Sequence, residues 1–495
     1  IENRELLLKH QQDYFKSALE EGIKSAIKAY VFGDNSDKGR TNAFAELLLK
    51  HRIETYALDA DITVGGTRYE KGKAFIVPTD QRQYRMVRTM FEKVTKFYDS
   101  VFYDASSWTM ALGYGIPHEG LTASVKFSRG EKIKFEDIAP KPAPVPKSNY
   151  AYVFEWNEYY APKALYHLLD NGVFAKAAFK PFTAVVNGQN KNFGYGTIVV
   201  AVADQNLPAD EVYTHIKEAS RKSGIDIYNV ETGMTSQGVY LGSGNIRTVE
   251  KPKVIMLIGN GASPTEAGAI WHLLDTKVEM PITKVDTDQF SRVNLFDYNT
   301  LILVSGNYGM LGDKGVEKIK DWVKEGGTLI LQRYAVNWAI NSKLIDEQLV
   351  KENGDKSSSL RLDYVTADDH NGSREIGGSM YMADLDITHP LGFGYARRGL
   401  PVYRNHDVFI QPSKSPFNTV VKYTSNPLLS GYVHPSNLNK IRNSVSLEVT
   451  GVGRGRAILF VDDPNFRGYW YGTNKLFFNA LFFGSHIAAP NFSGQ

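Results

Sequence analysis

Residues 29–32 read AYVF, and residues 151–154 read AYVF again. After each copy comes a polar loop and a stretch of helical periodicity (residues 42–51 and 162–170), then a short apolar run, ETYAL at 54–58 and FAKAA at 174–178. Each half continues into a second apolar run ending in Asp-Gln, KAFIVPTDQ at 73–81 and TIVVAVADQ at 197–205. A further helical stretch closes each, YRMVRTMFEKV at 84–94 and ADEVYTHIKEASRKS at 209–223. The same elements in the same order at nearly constant spacing mark a repeated unit. AYVF is its first strand.

A third copy begins with KVIMLIGNG at 253–261. EAGAIWHLLDT (266–276) echoes ALYHLLDN (164–171), YNTLILVSGNYG (298–309) echoes the strand before the second Asp-Gln, and GVEKIKDWVKEGG (315–327) supplies the next helix. Strands made of continuous Val, Ile and Leu are the pattern of parallel sheets covered on both faces by helices. The expected fold is therefore α/β, with three tandem Rossmann-like or flavodoxin-like modules. Residues 1–27 form an amphipathic helix, with Leu6, Leu7, Tyr14, Phe15, Leu19, Ile23 and Ile27 at helical spacing. Module 1 spans 28–139 and module 2 spans 148–250. Between them lies a linker at 140–147, where Pro140, Pro142, Pro144 and Pro146 alternate and exclude both helix interior and central strand. Module 3 spans 251–495. Past a polar, Gly-rich region it acquires a β-rich extension (HDVFI, TVVKY, SVSLEV, GRAILFVDD) and closes with the helix-like NKLFFNALFFG at 474–484.

At 495 residues, 22% charged and with a net charge of +3, the chain carries no basic block, which argues against a nucleic-acid groove or an anionic membrane surface. No apolar run approaches the length of a spanning helix. With no cysteine, disulfides, thiolate metal sites and a Cys nucleophile are excluded. The chain starts at Ile1 without a basic-then-apolar leader, as expected of a processed chain or of a piece of something longer.

Several constellations have residue types suited to chemistry. His51 and Glu54 match an H-x-x-E zinc pairing, but His51 sits with Lys50 and Arg52 at a helix C-terminus, and no later His completes a site. GNGAS at 259–263, with Asp286 after the next strand, has the outline of a dinucleotide turn that lacks its third glycine. His167 and His272 recur at matching positions of the repeat and read as scaffold. Asp368, Asp369 and His370, and the pair Asp386 and His389, have oxygen donors for a hard cation but read more simply as solvated loops. Trp108, Trp156 and Trp470 would provide platforms for a cell-wall peptide or glycan if they shared a cleft.

The third module resembles the class I glutamine amidotransferase-like fold, in VIMLIGNGAS, YNTLILVSGNYG, KIKDWVKEGGTLILQRYA and ITHPLGFG. In that family the strand written here as TLIL runs into a sharp elbow carrying a Cys nucleophile, with a His further on. This chain has Gln332, Arg333 and Tyr334 at the turn, and His389 stands in the downstream part. The resemblance thus implies a module without its nucleophile. If it binds a ligand, Asn307, Tyr308, Gln332, Arg333 and His389 are the groups at the strand ends that would do so. Over nearly its whole length the chain also resembles the C-terminal half of large secreted Bacteroidetes-type zinc carboxypeptidases of the carboxypeptidase A-like family. The stretches are NRELLLKHQQDYF, KGKAFIVPTDQRQYRMVRTMFE, DSVFYDASSWTMALGYG, YVFEWNEYYAPKALYHLLDNGV, AGAIWHLLDT and DPNFRGYWYGTNKLFFNALFFG. That resemblance implies a secreted, periplasmic or cell-surface protein in which residues 1–27 are the last helix of an upstream peptidase domain. Zinc and its ligands would lie in that domain, with no cofactor and no catalytic residue here. The alternatives are an uncharacterised hydrolase or ligand-binding activity of the third module, and a cell-wall peptide or glycan binder.

Overall fold

The computed structural model describes residues 3–102, 104–350 and 361–487. It divides into two compact units, one of Ile1–Lys93 with Trp108–Lys141 and the other of Val94–Ser107 with Pro142–Gln495.

The first unit is built on a five-stranded sheet in the order His118–Thr122, Ile27–Gly33, Ala74–Pro78, Tyr56–Leu58, Arg129–Lys132, every neighbouring pair antiparallel. Ala29, Val31 and Ile76 are fully buried in its core, and the Phe32 ring meets Phe44 of the helix Lys38–Lys50 edge-on. The Asp37 side chain starts that helix by accepting from the Arg40 amide. The N-terminal helix Arg4–Lys24 buries only Ala18 and Gly22. A Cβ on Gly22 would lie 2.0 Å from the Thr79 carbonyl oxygen, so only glycine lets the helix approach there. Its outer residues Leu6, Leu7 and Leu8 are exposed.

In the second unit a sheet of the same plan recurs, in the order Tyr228–Val230, Ala151–Phe154, Ile198–Ala201, Lys176–Ala178, Ile246–Thr248, again antiparallel throughout. In both sheets the AYVF strand neighbours the strand preceding Asp-Gln, which neighbours the short strand. In both, a hairpin separates short strand from Asp-Gln strand, Ile62–Val64 with Thr67–Tyr69 and Phe182–Val186 with Gln189–Phe193. The repeated glutamine has one task. Gln81 donates to the Pro78 and Glu54 carbonyls and accepts from the Glu54 amide; Gln205 donates to the Ala201 and Phe174 carbonyls and accepts from the Phe174 amide. Each clamps the end of one strand to the entry of its neighbour.

The repeat is therefore real, but the parallel sheets expected of modules 1 and 2 are not what forms. Continuous apolar strands report burial on both faces, not direction. The inserted hairpin turns the chain back, so that the Asp-Gln strand enters between its predecessors and antiparallel to both.

A nine-stranded sheet follows, in the order Thr283–Asp286, Val254–Ile258, Thr300–Leu303, Thr328–Gln332, Gly455–Phe460, Val445–Val452, Thr419–Ser430, Ser379–Leu385, Gly399–Arg404. The first five strands are parallel and the remaining four add antiparallel. The architecture is thus α/β with one large mixed sheet. The last helix, Tyr471–Phe483, is buried at every position. Its Asn479 carboxamide accepts from the Trp156 indole at 2.6 Å and donates to the Leu391 and Phe393 carbonyls. Lys475 Nζ donates to the carbonyls of Trp156, Asn157 and Glu158 at 2.5, 2.8 and 2.9 Å. One helix therefore ties the second antiparallel sheet to the large one. Among the described residues no helix is long and apolar enough to cross a membrane.

Candidate functional site

Three charged side chains converge where the parallel strands end. Glu266 lies in the first turn of the helix Pro264–Leu273, whose N-cap Ser263 accepts from the Glu266 amide. The residue is 5% exposed; Oε2 accepts from the Ser305 amide at 2.9 Å, and Oε1 accepts from Arg333 Nη1 at 2.6 Å. Arg333 occupies the turn between the strand Thr328–Gln332 and the helix Tyr334–Asn341, at φ 48° and ψ −115°. Few non-glycine residues adopt that backbone, and holding one there costs on the order of 1–3 kcal/mol. The Arg333 amide donates to the Phe460 carbonyl at 2.8 Å, which fixes the turn against the end of the strand Gly455–Phe460. Shortly past the end of that strand stands Asp463, buried, with Oδ1 accepting from the Asn465 amide. Burial first, and then the charge of Glu266, push the Asp463 carboxyl up to about 7, against the opposing pull of Arg333.

A second buried network adjoins it through Asp462. Arg404 Nε and His406 Nε2 both reach Asp462 Oδ1 at 3.1 Å, and the Tyr423 hydroxyl donates to Oδ2 at 2.5 Å. His406 Nδ1 accepts from the Val408 amide, so the ring carries its proton on Nε2. Burial, and then the neighbouring Arg404 charge, lower the His406 pKa to about 3, so the ring is neutral. Burial raises the Asp462 carboxyl, while Arg404 and His406 pull it down and prevail. The arrangement can hold an exchangeable proton near neutrality on Asp463, beside a guanidinium and a second carboxylate. A nucleophilic thiol is absent from the chain.

The residues singled out from the sequence meet different fates. Arg333 is at the centre. Gln332, next to it, is fully buried, and neither its Oε1 nor its Nε2 has a hydrogen-bond partner among the described residues. Tyr308 is a core residue: its hydroxyl donates to the Val304 carbonyl and its ring meets Trp338 edge-on, with burial raising its pKa far above the usual tyrosine value. Asn307 is exposed and caps its own turn by accepting from the Gly309 amide. His389 is separate from the group. It lines a cleft with Gly455 and Arg456 at the start of the strand Gly455–Phe460, whereas Arg333 sits at the strand's end, about 17 Å away at roughly 3.3 Å per residue.

The other candidates resolve into structure. The GNGAS turn is stitched to the next strand, with the Ala262 amide on the Gly259 carbonyl, the Ser263 amide on the Ser305 carbonyl and the Asp286 carboxylate packed against Gly259. Two amides of the turn, those of Ala262 and Ser263, are thus committed to the protein's own carbonyls. Glu54 pairs with Lys132 at 2.8 Å. Trp156 and Trp470 are buried and only Trp108 is partly exposed, so the three indoles do not form one platform. Among the described residues no group of three or more His, Asp or Glu is placed to hold a metal ion.

Sequence reading passed over Glu266, Asp463, Asp462, His406 and Arg404. Part of the signal was present: GRAILFVDD runs an apolar strand directly into two carboxylates, and EAG opens a helix after an apolar strand. Both place acids at the carboxyl ends of buried strands, where α/β sheets bind ligands.

No family model matches the chain, and no curated protein matches it. Among solved structures it is similar to a GMP synthase-type protein from Thermoplasma acidophilum, at 11% identity over 46% of this chain and 94% of that one, with a TM-score of 0.28. A cytoplasmic protein of Salmonella typhimurium matches at 15% identity over 46% of this chain and 97% of its own, also with a TM-score of 0.28. A ThuA-like protein of Bacteroides uniformis matches at 12% identity over 49% and 94%, again at 0.28. Similarity of this size assigns the chain neither family nor activity.

Proposed function

We propose that this chain is a non-catalytic accessory region whose third sheet is an amidotransferase-like module with its nucleophile position filled. The observation that carries the reading is Arg333. It sits at the strained strand-to-helix turn where the resemblance puts a Cys, and its guanidinium is committed to Glu266 at 2.6 Å. A permanently charged guanidinium cannot act as a nucleophile in acyl transfer. The wider resemblance supplies the context: the region would support or gate a secreted zinc carboxypeptidase domain upstream in the same polypeptide, with zinc held there. The exposed Leu6, Leu7 and Leu8 are compatible with such a neighbour. The test is to assay the purified chain for glutamine hydrolysis and for release of C-terminal residues from peptides, with and without a chelator. Neither activity is expected; chelator-sensitive peptide cleavage by this chain alone would sink the proposal.

A second reading, ligand binding at the same strand ends, is favoured by the buried, unpartnered carboxamide of Gln332, the residue that precedes Arg333 in the chain. An Arg333→Ala chain that keeps all ligand binding would remove it.

A further inference from the structure

At the opposite end of the large sheet lies a cleft of about 590 Å³, within the range of small-molecule sites. Its walls carry Lys180, Arg247, Arg454, Arg456, His389 and His486, and no Asp or Glu stands among its lining residues. Four of these are cations. Arg454 is paired with Glu325, but Lys180 and Arg247 have no carboxylate partner among the described residues, Arg247 lying 4.5 Å over the Phe179 ring.

Arg456 is the decisive group. It is 7% exposed, and its guanidinium donates to the Gly484 and Arg454 carbonyls at 2.7 Å each. Its Nε has no partner among the described residues, and neither does the buried His486 Nε2. Burying a cation without a counter-charge is unfavourable, and an anion held in the cleft that Arg456 lines would offset that cost. Arg456 is already oriented by two carbonyls, which lowers the entropy lost when an anion docks. His389 adds a neutral donor, since its Nδ1 accepts from the Leu391 amide and its proton is therefore on Nε2. Phe417, 56% exposed, and Phe179 give the cleft apolar surface beside the charges.

We propose that this cleft binds an anionic small molecule carrying at least two phosphate or carboxylate groups, with Arg456 as the buried anchor and Lys180 and Arg247 as the outer clamp. The proposal is independent of the Glu266 and Arg333 group and stands or falls apart from it.

The test titrates the chain with pyrophosphate, citrate and, as a neutral control, glucose, by calorimetry at low salt. At least one anion is expected to bind saturably at one site and to weaken as salt rises, while glucose does not bind. Lys180→Ala with Arg247→Ala, both on exposed positions, is expected to weaken the anion at least tenfold. Arg456→Met is expected to abolish binding with the far-UV spectrum unchanged; if that chain does not fold, the exposed double variant alone decides. Binding of pyrophosphate only, or of citrate only, identifies the phosphate or the carboxylate source. Absence of saturable binding by either anion, or binding unchanged in the double variant, overturns the proposal.

Discussion

Arg333 carries two opposed contributions, a backbone in a conformation that favours glycine and a side chain that neutralises a buried carboxylate. The two separate by substitution. Arg333→Ala keeps the strain and leaves Glu266 unpaired, so it should destabilise by about 3 kcal/mol, the scale of breaking one side of a buried pair. Arg333→Gly loses the same pair but relieves the turn, and should be the more stable of the two by about 1 kcal/mol. Urea unfolding of both chains measures the difference; equal stabilities would mean that the turn is not strained. The sequence could place Arg333 because a resemblance pointed to one turn. It could not single out Glu266 or Asp463, because their partners lie on other strands and a carboxylate in a linear sequence reads as solvated surface until the fold buries it.

Repeated glutamines and one buried helix show how the elements are held. Gln81 makes three bonds to backbone groups and is 4% exposed; Gln81→Ala should therefore cost about 2–3 kcal/mol, with two carbonyls and an amide losing their partner. Gln205 makes the equivalent bonds in a wetter setting and Gln205→Ala should cost about 1 kcal/mol, so the order of the two midpoints in urea checks the reading. Lys475→Met leaves three carbonyls of residues 156–158 without their shared cation and should cost about 3 kcal/mol. The repetition of Asp-Gln was plain in the sequence and marked the repeat correctly. Strand direction was not, because it depends on where the hairpins at 62–69 and 182–193 return the chain, and hydrophobic runs have no polarity. The parallel order did emerge in the third sheet, where helices rather than hairpins connect the strands.

At the scale of the whole molecule, buried titratable groups set a pH profile whose sign follows from two carboxyls and four histidines. Burial and a neighbouring acid raise two carboxyls, Asp463 to about 7 beside Glu266 and Glu448 to about 8 beside Glu347. Burial lowers four histidines, His406 to about 3, His389 to about 4, and His167 and His486 in the same direction. For the carboxyls the folded chain holds protons that the unfolded chain has released, so their stabilisation is lost as pH rises from the ordinary carboxylate range through about 7 and 8. For the histidines the unfolded chain takes up protons that the folded chain refuses, so stability is lost as pH falls below the ordinary histidine value of 6.5. Between about pH 4.5 and 6.5 the losses from the carboxyls oppose the gains from the histidines; above that only the carboxyls among these groups titrate, and stability should fall toward pH 8. Asp463→Asn replaces the protonated acid with a neutral isostere that can still accept from the Asn465 amide, so it should reduce the fall above pH 6.5 and, with one opposing loss gone, make stability rise more steeply between about pH 4.5 and 6.5. Thermal midpoints of both chains from about pH 4.5 to 8.5 provide the check. Midpoints that rise through pH 7, or a fall that Asp463→Asn does not reduce, would show that Asp463 is ionised in the folded protein and that the Glu266 and Arg333 group holds no exchangeable proton.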